Sequence, residues 1–149
     1  MKRSWNPWAL SFRRCRHLLL PLCPCARWEM HCMCPDNCPL VTVKWSIPAR
    51  LATERSIEDG QEAAKLCAIN ALSVLKTYLG DLGKVKNIIK LLIFVNSADG
   101  FTQQPAVGNG ASQFFVDIFG EAGQHARSAI GVSELPFDVT VEIELIVEI

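Results

Sequence analysis

The closing stretch Asp138–Ile149, DVTVEIELIVEI, decides how the chain is read. Val139, Val141, Ile143, Leu145, Val147 and Ile149 recur at every second position. Thr140, Glu142, Glu144 and Glu148 stand between them, with Ile146 the one exception. Successive side chains of a strand point to opposite faces, so this alternation predicts a strand with one buried and one wetter face. Such a strand needs a layer over its apolar side, which the preceding residues must supply.

Working back from it, Glu134-Leu135-Pro136-Phe137 reads as a turn and Arg127–Ser133 (RSAIGVS) as a short strand. Pro105 can open a helix that runs to Phe119 and stops at Gly120. Its apolar residues Val107, Ala111, Phe114, Phe115, Ile118 and Phe119 form one broad face, while Gly108 and Gly110 weaken its first turns. Ser97–Gly100 is a turn, and Lys84–Val95 (KVKNIIKLLIFV) is a strand rich in Ile, Val and Leu. Upstream, Ser56 can cap a helix whose first turn carries Glu58 and Asp59. Ala64, Cys67, Ala68, Ala71, Leu72, Leu75 and Leu79 then fall at helical spacing, and Gly80 suits the residue after the last turn. Cys67 lies on that apolar stripe and is most simply core. The order helix, strand, helix, strand, strand predicts an α+β fold, with two helices on one face of a mixed sheet. Three strands are few for two helices of this length, so the residues before 54 should supply more.

Those residues are of another kind. The chain has 149 residues and a formal net charge of zero, but the zero is a cancellation. Up to Thr53 there are eight Lys and Arg against two acids, a net of +6, and beyond it seven against thirteen, a net of −6. Six of the seven Cys, all four Trp and six of the eight Pro precede residue 54. Prolines 7, 21, 24, 35, 39 and 48 interrupt every apolar run there, and no run in the chain approaches the ~20 residues of a membrane-spanning helix. The acidic remainder offers no basic groove for a nucleic acid. Three structured readings of the first part stay open. They are a targeting peptide around Leu18-Leu19-Leu20, a zinc site from His31, Cys32, Cys34 and Cys38 without paired C-x₂-C elbows, and a disulfide framework.

Gly123-Gln124-His125-Ala126-Arg127-Ser128-Ala129, followed by Leu135-Pro136 and Val141-Glu142-Ile143-Glu144, resembles the C-terminal signature of the RidA/YjgF family. Glu58–Cys67 (EDGQEAAKLC), Phe94-Val95 and Asn109-Gly110-Ala111-Ser112 resemble a branch of it that carries an endoribonuclease label. The resemblance covers residues 54–149 and implies the chorismate mutase-like fold, homotrimers with sites at subunit interfaces, a small carboxylate-bearing substrate and a cytoplasmic protein without metal or organic cofactor. It implies hydrolytic deamination of reactive 2-imino acids, or a non-catalytic small-carboxylate-binding or regulatory role within the same family.

The family's N-terminal hairpin has no in-frame counterpart here. Codons built from the third base of each residue and the first two of the next permit V-G-N-A-L-Y-V-S-G-Q-L-P across Arg27–Pro39, which is similar to the family's first strand. Residues 1–53 are therefore expected to be a non-homologous, poorly ordered leader translated out of frame. The frame returns just before Glu54, and the domain proper is 54–149.

The resemblance also names a site. Arg127 would anchor the substrate carboxylate through its rigid fork of donors; from composition alone it is a solvated charge at a strand start. Glu142 would orient or activate water, against a plain polar-face role, and Asn109 would line the site, against a helix-cap role. Glu144 is expected to be structural and His125 a loop histidine. Ala129 stands where many members have Cys, which puts the substrate class in doubt and leaves the fold intact.

Overall fold

The computed structural model describes residues 40–48, 50, 51 and 55–149. The elements are β1 (Leu40–Pro48), α1 (Ile57–Leu79), β2 (Asn87–Asn96), α2 (Gln104–Phe119), β3 (Ala126–Val132) and β4 (Val139–Glu148). The strands form one mixed sheet in the order β1-β4-β2-β3. β4 runs antiparallel to β1 and β2, and β3 lies parallel to β2 at one edge. Both helices pack against each other and onto the sheet, α1 over β1 and β4 and α2 over β2 and β3.

The sheet is thus one strand wider than the three read after residue 54. The extra strand, β1, comes from the stretch expected to be a leader, so the sheet begins before the expected boundary at 53. Residues 1–39 lie outside the described residues. The targeting, zinc and disulfide readings and most of the out-of-frame segment lie there with them.

Local chemistry explains each helix end. The Ser56 side chain accepts from the Asp59 backbone N–H at 3.2 Å, and the Asp59 carboxylate accepts from the Ser56 N–H at 3.1 Å, a reciprocal box at the start of α1. Gly80 ends the helix at φ 77°, where a side chain would be strained. α2 has no side-chain cap. Pro105 near its start lacks the N–H that would otherwise go unpaired.

The buried stripe of α1 is mostly small: Ala63, Ala64, Cys67, Ala68 and Ala71, with Leu72 and Leu75 toward its end. Small side chains let α2 approach closely. Gly110 is the extreme case, since a Cβ there would stand 2.0 Å from the Gln61 carbonyl oxygen of α1. The glycine that weakens α2 as an isolated helix is therefore what lets the two helices touch. The Gln61 side chain crosses the same seam, donating to the Ala106 carbonyl at 2.9 Å. Cys67 is buried, with Sγ 3.7 Å from the Val141 carbonyl, as the stripe predicts.

β4 carries the predicted alternation. Val139, Val141, Ile143, Leu145 and Val147 are buried beneath the helices. Each fully buried side chain of this size contributes about 1.5–3 kcal/mol before chain entropy is counted. Thr140, expected on the wetter face, is buried as well. It sits at the β1–β4 end where the register shifts between Trp45 and Pro48, so it does not follow the simple alternation of the strand's middle. The turn before β4 is tight, with Phe137 and Asp138 both at positive φ. The Asp138 carboxylate there accepts from buried Asn96 at 2.9 Å.

Candidate functional site

Register decides where the predicted residues go. On β3, Arg127 is the partner of Leu91, and Leu91 is the partner of Leu145 on β4. Leu91 and Leu145 are both buried under the helices, so Arg127 projects on the helix side of the sheet. β3 is the edge strand, and the guanidinium reaches α2 at its margin. Gly108 packs beside it: a Cβ there would meet Ile93 Cδ1 at 2.6 Å, too close to fit, and Arg127 Nη1 at 3.5 Å, an ordinary contact.

At α2 the guanidinium is gripped by two residues one helical turn apart. Nη1 donates to Asn109 Oδ1 at 2.9 Å and to Ser112 Oγ at 3.0 Å. Among the described residues, Nη2 and Nε make no hydrogen bond. Asn109 thus meets Arg127 and does not cap α2, whose N-cap residue is Gln103.

Glu142 is elsewhere. It is in register with Phe94 of β2, and Phe94 with Ile130 of β3. Those positions alternate with Leu91, Arg127 and Leu145, so Glu142 lies on the open face of the sheet. A single chain brings Arg127 and Asn109 together and keeps Glu142 apart from both. Glu144 shares the open face with it.

Two further residues join Arg127: Ser112, given no role from the sequence, and His125, expected to be a loop histidine. Ser112 Oγ lies 3.1 Å from His125 Nε2, and His125 Nδ1 lies 2.6 Å from the Gly123 carbonyl oxygen. The Phe115 ring meets the imidazole edge to face, with centroids 6.0 Å apart. Burial pushes His125 below the ordinary histidine value of 6.5; the Gly123 carbonyl works against this, and the charge of Arg127 adds to it. The signal for Ser112 was present in the spacing, because Asn109 and Ser112 are i and i+3 on one helix. His125 lies in the loop before β3, as expected, but its partners Ser112 and Phe115 come from α2, which nothing local marks.

Among the described residues, no group of three or more His, Cys, Asp or Glu comes together that could hold a metal ion. No described helix is long and apolar enough to cross a membrane.

Known proteins resemble this chain in sequence and fold. A family profile described as "YjgF/chorismate mutase-like, putative endoribonuclease" matches residues 24–149, and so reaches into the stretch expected to be leader. Protein TCP17 of Trypanosoma cruzi is 39% identical over 126 residues, 84% of this chain and 78% of that protein. A 2-iminobutanoate/2-iminopropanoate deaminase of Dermatophagoides farinae is 38% identical over 66 residues, which span 44% of this chain and 45% of the deaminase. The crystal structure of Atu1372 from Agrobacterium tumefaciens, a protein of unknown function, superposes with a TM-score of 0.74 at 38% identity, covering 78% of this chain and 81% of that one. A profile that takes in most of the chain, a relative matched along most of its length and a shared fold agree: this chain is a member of the YjgF/chorismate mutase-like family.

Proposed function

We propose that the protein hydrolyses reactive 2-imino acids to 2-keto acids and ammonia. One observation carries the reading: the Arg127 guanidinium is fixed through Nη1 to Asn109 and Ser112, which leaves the Nη2–Nε edge for a ligand. Two parallel N–H donors match the two oxygens of a carboxylate. The partial likeness to the mite deaminase supports the same chemistry. Held by its carboxylate, the substrate presents its electrophilic imine carbon to water. Water adds to that carbon, the nitrogen takes up the protons, and the adduct collapses to the keto acid and ammonia. None of these steps calls for a metal or an organic cofactor.

Glu142 enters this reading as the group that orients the attacking water. From the open face of its own chain it would serve the Arg127 of a second copy, a reading that goes with a homotrimer whose sites lie between subunits. The protein is accordingly read as a cytoplasmic oligomer acting on small carboxylates, with no nucleic-acid partner and no membrane. The separation of Glu142 from Arg127 within one chain also favours a second reading: a member that binds a small carboxylate metabolite without turning it over.

Ammonia release from freshly generated 2-iminobutanoate, compared between the wild type and Arg127→Ala, tests the proposal. Catalysis that collapses in the variant is the expected result. Equal rates overturn the catalytic role, and carboxylate binding without ammonia release selects the second reading.

A further inference from the structure

The hydrogen bonds behind Arg127 have a defined direction. The Gly123 carbonyl oxygen can only accept, so at 2.6 Å it requires the proton on His125 Nδ1. In the neutral ring Nε2 then carries a lone pair, and the Ser112 hydroxyl, 3.1 Å away, donates to it. With its hydrogen committed, Ser112 Oγ presents lone pairs to Arg127 Nη1 at 3.0 Å. Each group in the line Gly123–His125–Ser112–Arg127 has one role that fits its neighbours. The line is anchored at its far end as well. Gly123 is buried, and a Cβ on it would stand 2.3 Å from the Phe115 carbonyl oxygen, so its position is set by α2.

We propose that His125 and Ser112 are positioning residues for Arg127: the imidazole sets the rotor of the Ser112 hydroxyl, and the hydroxyl, with Asn109, sets the plane of the guanidinium that receives the substrate carboxylate. This rests on the carboxylate-anchor reading above and adds to it the residues that pre-orient the anchor. An Arg side chain has several rotatable bonds, and holding its fork before the ligand arrives removes an ordering cost from binding. Neither residue touches the reacting atoms, so their loss should fall on binding and spare the chemical step.

The test uses 2-oxobutanoate as the binding probe, followed by NMR titration, beside steady-state ammonia release. Arg127→Ala is expected to lose binding. Ser112→Ala and His125→Ala should raise the dissociation constant and KM roughly tenfold with kcat nearly unchanged, the size expected for one charge-assisted hydrogen bond. Ser112→Thr keeps the hydroxyl, and His125→Gln places an amide oxygen near the position of Nε2, so both should recover most of the affinity. Nitrogen chemical shifts should show the Nδ1–H tautomer of His125 in the free protein. Tight binding by both alanine variants while Arg127→Ala is dead overturns the positioning role and leaves the anchor intact. Equal losses in the alanine and the conservative variants also overturn it, since shape alone would then be at work. Undiminished binding by Arg127→Ala sinks the anchor reading itself.

Discussion

Glu144 and Leu145 are neighbours on β4, yet they belong to different environments. Leu145 lies fully buried beneath the helices, in register with Leu91 and, through it, with Arg127. Glu144 lies on the other face, which no helix of the described chain covers, together with Glu142, Phe94 and Ile130. Ile130 keeps 45% of its surface exposed there. The helix-covered face explains how the fold holds together and, at its margin, where Arg127 is held. The open face carries the remaining candidate residue, Glu142, on the opposite side of the sheet from Arg127. The contrast teaches that a strand alternation can put two candidate site residues on opposite sides of one sheet, so that one site can include both only by joining copies.

The largest expected effect breaks or makes that contrast directly. Arg127→Ala should lower kcat/KM for imine hydrolysis by about a hundredfold to a thousandfold, the scale for losing a charged anchor that orients the substrate. Glu142→Gln should be impaired as well. If the two faces meet between copies, co-expressing the two inactive variants should restore about a quarter of the wild-type rate, because random mixing recreates that share of intact sites. A mixture no better than its components would show that the two residues do not share a site across an interface.

Next in size is a stability comparison at adjacent positions. Leu145→Ala should cost about 3 kcal/mol in urea unfolding, from lost burial and the cavity left behind. Glu144→Gln beside it should stay within about 0.5 kcal/mol. Similar costs at the two sites would mean that the open face is covered in solution.

Gly110→Ala sharpens the account of the helix pair. By propensity alone the change should help α2 by about 1 kcal/mol. The contact of 2.0 Å that a Cβ would make with the Gln61 carbonyl reverses the sign, and a net loss of about 2 kcal/mol is expected on thermal or urea unfolding. A more stable variant would place the helices farther apart than described here.

The smallest effect is a pH slope. His125 is held below 6.5, first by burial, so protonation favours the unfolded chain. Its contribution is fully present above 6.5 and is lost as pH falls from 6.5 through the lower folded value. His125→Gln should flatten that part of the stability curve. Arg127→Ala should move the His125 titration upward by removing a nearby positive charge, and an unchanged titration would show that the two side chains are not coupled.

Much of this was legible before any coordinates. The Ser56 box, the Gly80 stop and the buried stripe of α1 follow from residues within a few positions of one another, and so does the alternation of β4. Asn109 and Arg127 were named from motif resemblance, and the structure brings them into contact. Ser112 shares a helix face with Asn109, a spacing visible in the sequence, and His125 was read as a loop histidine. That they meet each other and Arg127 is a contact between α2 and the residues leading into β3, which no local pattern encodes. Gly110 was read as a weakness, since the carbonyl it accommodates belongs to α1.

The sequence by itself determined the helices, most of the strands and the apolar face of each, because the periods of 3.6 and 2 and the capping groups act over short stretches of chain. Tertiary structure alone decided that β1 joins the sheet from the stretch expected to be a leader, that β3 runs parallel to β2 at an edge, and that Arg127 and Glu142 face opposite ways. Register between strands is a relation among distant segments, set by which apolar faces are buried together, and a shift of one residue would reverse every side chain.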